Sequence, residues 1–143
     1  QYMERYFARY PGVDAYMKNT RERARNQGYV ETVFGRRLWL PEIKSSNVAR
    51  RQGAERAAIN APMQGSAADI IKRAMIRLPD ALKAAKLKAT MLLQVHDELL
   101  FEVPDKEIDR TKDVARKVME GAATLSVPLV VETGVGANWA AAH

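Results

Sequence analysis

The fold is decided by the stretch Gln94-Val95-His96-Asp97-Glu98-Leu99-Leu100-Phe101-Glu102-Val103. The runs Lys88–Gln94 and Leu99–Val103 are rich in β-prone residues, and the polar residues between them predict a turn. The sequence therefore predicts a β-hairpin with an imidazole and two adjacent carboxylates at its tip. Strands rich in Met, Leu, Phe and Val would be partly buried, and burial would hold that tip rigidly.

Three residues at the predicted tip, His96, Asp97 and Glu98, suggest metal chemistry. Hard cations such as Mg²⁺ prefer oxygen ligands, and carboxylates on rigid elements supply them. Acidic turns are also common on protein surfaces, where they are simply solvated. On composition alone the solvated turn is the more common of these two alternatives, so both stay open.

A long helix is predicted upstream of the hairpin, from about Val48 to Leu78, followed by a further helical turn or two over Pro79–Lys86. Apolar residues recur along it at helical spacing and are expected to face a core: Ala67, Ile70, Ile71, Ala74 and Leu78. Pro62 removes one backbone donor, so we expect it to kink or briefly break the helix.

The same helix carries a polar stripe, formed by Arg56, Asn60 and Gln64 at spacing i, i+4, i+8. These side chains can donate hydrogen bonds to the acceptors that line the DNA minor groove. A wet helix face is the simpler interpretation for three polar residues, although Arg50 and Arg51 lie one to two turns earlier.

The first 47 residues are predicted to form two helices and a short hairpin. The helices cover Gln1–Tyr10 and Val13–Asn26, with Gly28 positioned to end the second. The β-prone runs Tyr29–Val33 and Arg37–Leu40 flank a tight turn. Ser45-Ser46-Asn47 then supplies capping chemistry for the long helix.

The last 40 residues are predicted to form the amphipathic helix Asp105–Ala123 and the strand Val127–Glu132. Helices packed against one face of an antiparallel sheet make an α+β fold.

Composition bounds the function. The chain has 143 residues, no cysteine and a net charge of +6. Residues 1–60 hold 12 Lys/Arg against 6 Asp/Glu, so the whole surplus lies in that part, as expected of a surface that faces a polyanion. A basic surface without a partner is the alternative. Absent cysteines exclude disulfides and thiolate metal sites, and no apolar run approaches the roughly 20 residues that cross a bilayer. Without a signal-peptide pattern, we expect a cytoplasmic protein.

At this point the residues carry a specific resemblance. The hairpin stretch 94–103 resembles the third polymerase motif of the family A DNA polymerases, the DNA polymerase I family. Four further segments, in the same order as in the family, are similar to it: Gly28–Thr32, Gly35–Arg37, Glu55–Asp69 and the ending Asn138-Trp139 with Ala142-His143. The resemblance covers nearly the whole chain.

The resemblance implies a right-hand polymerase fold. Residues 1–47 would be the C-terminal part of the fingers with a short hairpin, and residues 48–143 a portion of the palm. The implied activity is template-directed addition of dNTPs to a primer 3′-hydroxyl, in DNA replication and repair. Primer-template DNA and dNTPs are the implied partners, two Mg²⁺ ions are the implied cofactors, and the full-length enzyme is expected to be a monomer.

The resemblance also implies roles for particular residues. Asp97 would ligate catalytic Mg²⁺, Glu98 would support the metal site, and His96 would lie near the primer terminus. Contacts to the primer-template or positioning of its primer end would come from Arg56, Asn60, Gln64 and Gln94. Independently of the resemblance, Arg36 and Arg37 are candidates for phosphate contacts, although solvated charge explains each equally well.

The sequence departs from the family pattern in ways that limit the activity expected of these 143 residues alone. The first polymerase motif, with its metal-binding Asp, and the fingers helix that holds the triphosphate are absent, so we expect the 143 residues alone to be inactive. Ser66 stands where Thr is common. A single-subunit phage-type RNA polymerase is the nearest alternative, but its motif usually reads His-Asp-Ser where this chain has His96-Asp97-Glu98. A non-catalytic basic nucleic-acid-binding module and a structural or protein-interaction domain remain alternatives from other classes.

Overall fold

The computed structural model describes residues 2–142, which form helices and two antiparallel, two-stranded sheets. The chain divides between Ser66 and Ala67 into two compact units. The predicted α+β class is therefore confirmed. Within residues 2–142, no helix is both long enough and apolar enough to cross a membrane. The predicted boundary between fingers and palm at residue 47 stays a prediction.

The first unit begins with two helices, α1 (Tyr2–Arg9) and α2 (Pro11–Gln27). Pro11 opens α2, a position where its missing N–H costs nothing. Gly28 ends α2 in the left-handed region with a φ of 83°, and its N–H donates to the Ala24 carbonyl at 2.8 Å. Glycine adopts this conformation without a steric penalty, so the predicted helix end is confirmed.

A short hairpin follows, with strand β1 (Tyr29–Glu31) pairing antiparallel to strand β2 (Arg37–Trp39). Pro41–Lys44 form a 3₁₀ turn. The core of this unit is small and draws on α2, the hairpin, the 3₁₀ turn and the next helix: Ala24, Val30, Leu40, Ile43, Ala54 and Ala58. The two predicted strands are confirmed, each one or two residues shorter than expected.

Helix α3 (Val48–Ala84) is continuous through both of its prolines. The Asn47 side chain accepts a hydrogen bond from the Arg50 N–H at 3.2 Å, which confirms the predicted capping. The predicted break at Pro62 is wrong, because proline removes a single backbone hydrogen bond and the neighbouring turns maintain the helix. Pro79 is accommodated in the same way, so the helical turns predicted after Leu78 are part of α3 and not a separate helix. The alternative expectation at Pro62, a kink, stays a prediction.

The second unit contains the hairpin of strands β3 (Thr90–Val95) and β4 (Glu98–Glu102), followed by helix α4 (Ile108–Glu120). Asp105–Glu107 form a 3₁₀ turn before α4, so the helix begins three residues later than predicted. The core joins the second half of α3 to α4: Ala74, Leu78, Ala115 and Ala122, with Met91, Leu99 and Phe101 of the hairpin packed against it.

Two expectations about apolar residues fail in this unit. Val127–Glu132 is not a strand: Val127 and Val130 are exposed, and the Val131 N–H donates to the Glu120 side chain at 3.1 Å. A strand requires a neighbouring strand, and Pro128 has no N–H to offer one. Ala67, predicted to face the core, is exposed, whereas Ile71, Ala74 and Leu78 of the same predicted face are buried.

Candidate active site and nucleic-acid interface

The acidic tip in the second unit is a two-residue loop. Val95 pairs with Glu98 at the end of the β3–β4 ladder, which leaves His96 and Asp97 as the loop residues. The side chains of His96, Asp97 and Glu98 are all exposed. Exposure leaves the two carboxylates accessible to a ligand that approaches from solvent.

His96 adopts a positive φ of 52°, and it is one of two non-glycine residues in 2–142 that do so. Two-residue hairpin loops favour turns with a positive φ at their first position, because those turns match the twist of the strands. Histidine tolerates this region better than most residues, but the conformation still costs an L-residue about 1–2 kcal/mol. Lys86, away from the tip, has a similar φ of 56°, so the role of this tip as a site stays a prediction.

Gln94 contacts the turn directly. Its side-chain amide nitrogen donates to the His96 carbonyl at 2.8 Å, two residues along the chain. One polar group of Gln94 therefore contacts the acidic tip, and its predicted contact with primer-template stays a prediction. The side chain is exposed, so its carbonyl oxygen can still face solvent.

The hairpin is anchored on one side. Met91, Leu99 and Phe101 pack against the core, while Leu92 and Leu93 are exposed. An irregularity in the register lies between Met91 and Leu93. The anchored side confirms the expectation of partly buried strands.

The chemistry of Asp97 and Glu98 fits a hard cation, though only as part of a ligand set. Among residues 2–142, no three His, Cys, Asp or Glu side chains cluster closely enough to hold a metal ion. Mg²⁺ is commonly bound by one or two carboxylates, with waters and substrate phosphates completing its six positions. Two adjacent exposed carboxylates supply that minimum.

The polar stripe lies in the first unit. Arg56, Asn60 and Gln64 are all exposed on α3, while Ala54 and Ala58 of the same helix are buried in the core. Helical periodicity therefore directs the stripe outward, as predicted. The exposure of its members is what a surface that contacts a groove requires.

Two contacts tie this part of α3 to α2. The Tyr16 hydroxyl donates to the Ile59 carbonyl at 2.9 Å, which ties α2 to α3 one residue before Asn60. Arg25 and Glu55 form an ion pair that joins the same two helices. The polar stripe thus lies on a segment of α3 that α2 contacts at Glu55 and Ile59.

The two hairpin arginines differ in their surroundings. Arg37 pairs with Glu31 at 3.0 Å, and its guanidinium lies 4.4 Å from the centre of the Tyr29 ring. Arg36 donates to the Gly65 carbonyl at 3.2 Å. Part of the charge of Arg37 is compensated by a carboxylate.

A shallow cavity in the first unit, of about 150 Å³, brings two predicted site residues together. Arg36 and Gln64 both line it, beside Glu31 and Thr32. Sequence patterns gave no sign of this proximity, because 28 positions separate the two residues. The sequence also gave no role to Gly65, whose only signal was a glycine in a helix interior.

The chain is similar to known proteins over nearly its whole length. The family model described as "DNA polymerase family A" matches residues 1–141. The chain is 60% identical over 142 residues to DNA polymerase I of Pseudomonas aeruginosa, covering 99% of this chain and 16% of that protein. It is 51% identical over 139 residues to DNA polymerase I of Geobacillus stearothermophilus, covering 97% and 16%. The chain thus spans about one sixth of the length of these curated relatives.

A solved structure is similar to the whole chain: the POL domain of Pol1 from M. smegmatis in complex with DNA primer-template and dNTP. The TM-score is 0.95 at 53% sequence identity, covering 98% of this chain and 25% of that one. The predicted polymerase fold is confirmed by this likeness. On the family match and the identities together, the chain belongs to DNA polymerase family A.

Proposed function

We propose that this chain contributes part of the active site of a template-directed DNA polymerase. The observation that carries the proposal is the tip of the β3–β4 hairpin, where two exposed carboxylates follow a strained histidine in a family A chain. The similar POL domain is described with DNA primer-template and dNTP. The reaction would join the primer 3′-hydroxyl to the α-phosphate of a dNTP, with pyrophosphate as the leaving group.

Asp97 and Glu98 would hold the divalent metal, with Mg²⁺ the natural candidate for carboxylate ligands. A bound pair of such ions stabilises the attacking and leaving oxygens of a phosphoryl displacement. The chain's own contribution is to hold both carboxylates on a short, anchored turn, so that little reorganisation is needed when substrate binds. His96 would face the end of the primer from the same turn.

Arg56, Asn60 and Gln64 would donate to the minor groove of the primer-template. Minor-groove acceptors are nearly the same for every base pair, so donors there test the geometry of a pair without reading its sequence. A template-directed enzyme needs that kind of contact, because base pairing supplies the sequence information. Arg36 would add a phosphate contact beside Gln64, and Arg37 a weaker one, because Glu31 already compensates its charge.

We further propose that the 143 residues do not extend a primer by themselves. Support comes from residues 2–142, which supply no cluster of three metal-binding side chains, so a complete two-metal site would need ligands from elsewhere in the polymerase. The remaining proposals follow the family: a monomeric, cytoplasmic enzyme that acts in DNA replication and repair.

The test is primer extension by the polymerase that carries this segment, with and without Mg²⁺. Asp97→Ala and Asp97→Asn are compared with Asp113→Ala, which removes an exposed carboxylate from α4. Both Asp97 variants should lose at least about 100-fold in extension rate while primer-template binding persists, because a charge-stabilising group is lost from the transition state. Asp113→Ala should extend normally.

Three other outcomes of this experiment would contradict the proposal. Near-normal extension by Asp97→Asn would refute a metal-binding role for this residue. Wild-type preference for rNTPs over dNTPs would indicate RNA synthesis. Salt-sensitive nucleic-acid binding with no extension at all, indifferent to Asp97, would indicate a binding module.

A further inference from the structure

The loop of the first hairpin, Thr32–Arg36, is bonded to helix α3 at two consecutive residues. The Val33 N–H donates to the Ser66 hydroxyl at 2.9 Å, and the Arg36 guanidinium donates to the Gly65 carbonyl at 3.2 Å. Ser66 is only 8% exposed. We call these two bonds the hairpin–helix contact.

The loop itself is internally bonded. The Thr32 N–H donates to the Arg36 carbonyl at 2.9 Å, and the Thr32 hydroxyl accepts from the N–H groups of Phe34 and Arg36 at 3.3 and 3.2 Å. Gly35 has a φ of 82°, which a side chain would disfavour. Because the loop is closed on itself, fixing Val33 also fixes the direction in which Arg36 leaves it.

The surface of α3 is shaped to admit this loop. A Cβ at Gly65 would lie 2.7 Å from the Thr32 methyl carbon and 3.2 Å from the Arg36 guanidinium, so only glycine allows the approach. The Ser66 hydroxyl donates to the Pro62 carbonyl and accepts from Val33, so one side chain satisfies both the helix and the loop. Glycine in a helix interior costs stability, and the hairpin–helix contact gives that cost a reason.

The hairpin–helix contact brings the Arg36 guanidinium close to the Gln64 side chain. Arg36 and Gln64 line the same cavity, and Gln64 directly precedes Gly65. We propose that Ser66, together with Gly65, is a positioning residue that holds Arg36 beside the polar stripe of Arg56, Asn60 and Gln64. Arg36 would then contact a backbone phosphate at the place where Gln64 contacts the minor groove. This proposal rests on the proposed function, because it presumes that the stripe binds primer-template DNA.

The test measures primer-template affinity as a function of NaCl concentration, using the polymerase that carries this segment. The variants are Ser66→Ala, Ser66→Thr, Arg36→Ala and the double variant Ser66→Ala/Arg36→Ala. Arg36→Ala should lower the slope of log K against log salt by about 1, the loss of one phosphate contact. Ser66→Ala should raise Kd about 2- to 10-fold, the effect of one lost hydrogen bond, and should lower the slope in the same direction.

Three readouts separate positioning from simple loss of fold. Ser66→Thr keeps a hydroxyl on Cβ and should restore wild-type affinity. The double variant should bind no more weakly than Arg36→Ala, because Ser66 acts through Arg36. Extension at saturating primer-template should be unchanged in Ser66→Ala, so that the loss appears in KM and not in kcat.

Gly65→Ala provides a second perturbation of the hairpin–helix contact. Alanine favours the helix over glycine, so this variant should fold even where Ser66→Ala does not. It should also weaken binding, because its methyl group displaces the loop. Additive losses in the double variant, or wild-type affinity in both Ser66→Ala and Gly65→Ala, would overturn the positioning role. A wild-type polymerase that binds no primer-template would instead overturn the proposed function, and this role with it.

Discussion

The backbone of His96 makes a prediction that separates conformation from side-chain chemistry. With a φ of 52°, His96 occupies a region that costs an L-residue about 1–2 kcal/mol and costs glycine nothing. We therefore compare His96→Gly, His96→Ala and His96→Val, all of which lack the imidazole. We expect extension to fall in that order, because valine is branched at Cβ and least tolerant of a positive φ. The conformational cost bounds the gap between Gly and Ala at about 5- to 30-fold.

The assay is single-turnover primer extension across a Mg²⁺ titration. A turn that opens more often should require more Mg²⁺ for half-maximal rate, since binding must first restore the turn. Lys86 provides the matched control: it has a φ of 56° in the turn two residues after the end of α3, so the same three substitutions there impose the same backbone cost away from the tip. They should leave the Mg²⁺ dependence unchanged. Equal rates for all three His96 variants would refute the argument and leave the imidazole as the only contribution of this residue.

A further prediction concerns one exposed polar side chain, Gln64 of the polar stripe. Gln64→Ala should slow extension and weaken primer-template binding without changing the melting temperature. Asn19→Ala, which removes another exposed amide, should change none of these. Wild-type kinetics in Gln64→Ala would remove Gln64 from the site.

Features with a local physical cause were predictable from the sequence. Gly28 ends α2 because glycine alone adopts the left-handed conformation freely, and Asn47 caps α3 because its short side chain reaches the first turn. The β3–β4 hairpin was predictable because two β-prone runs flank a short segment with three polar residues, although its loop has two residues and not the four expected between the strands. Each of these depends on residues within a few positions of one another.

Features that depend on distant partners were not predictable. Val127–Glu132 has the composition of a strand, but pairing is decided by a neighbour that composition does not identify. The bond between Val33 and Ser66 joins residues 33 positions apart, and nothing in either local sequence indicates the other. The proximity of Arg36 and Gln64 follows from that bond and was hidden for the same reason.

The side chains expected to contact substrate in this chain are exposed, so the packing of their own atoms does not hold them in position. Their direction is set by the backbone and by neighbours instead: the left-handed turn at His96, the Gln94 bond to it, and the Ser66 hydroxyl beneath the Arg36 loop. Exposed side chains lose conformational entropy when they bind, and a fixed backbone reduces that loss. We therefore expect substitutions at Gly65, Ser66 and Gln94 to weaken catalysis or binding although none of them carries charge. A scan that changed only charged residues would not test the proposed roles of Gly65, Ser66 and Gln94.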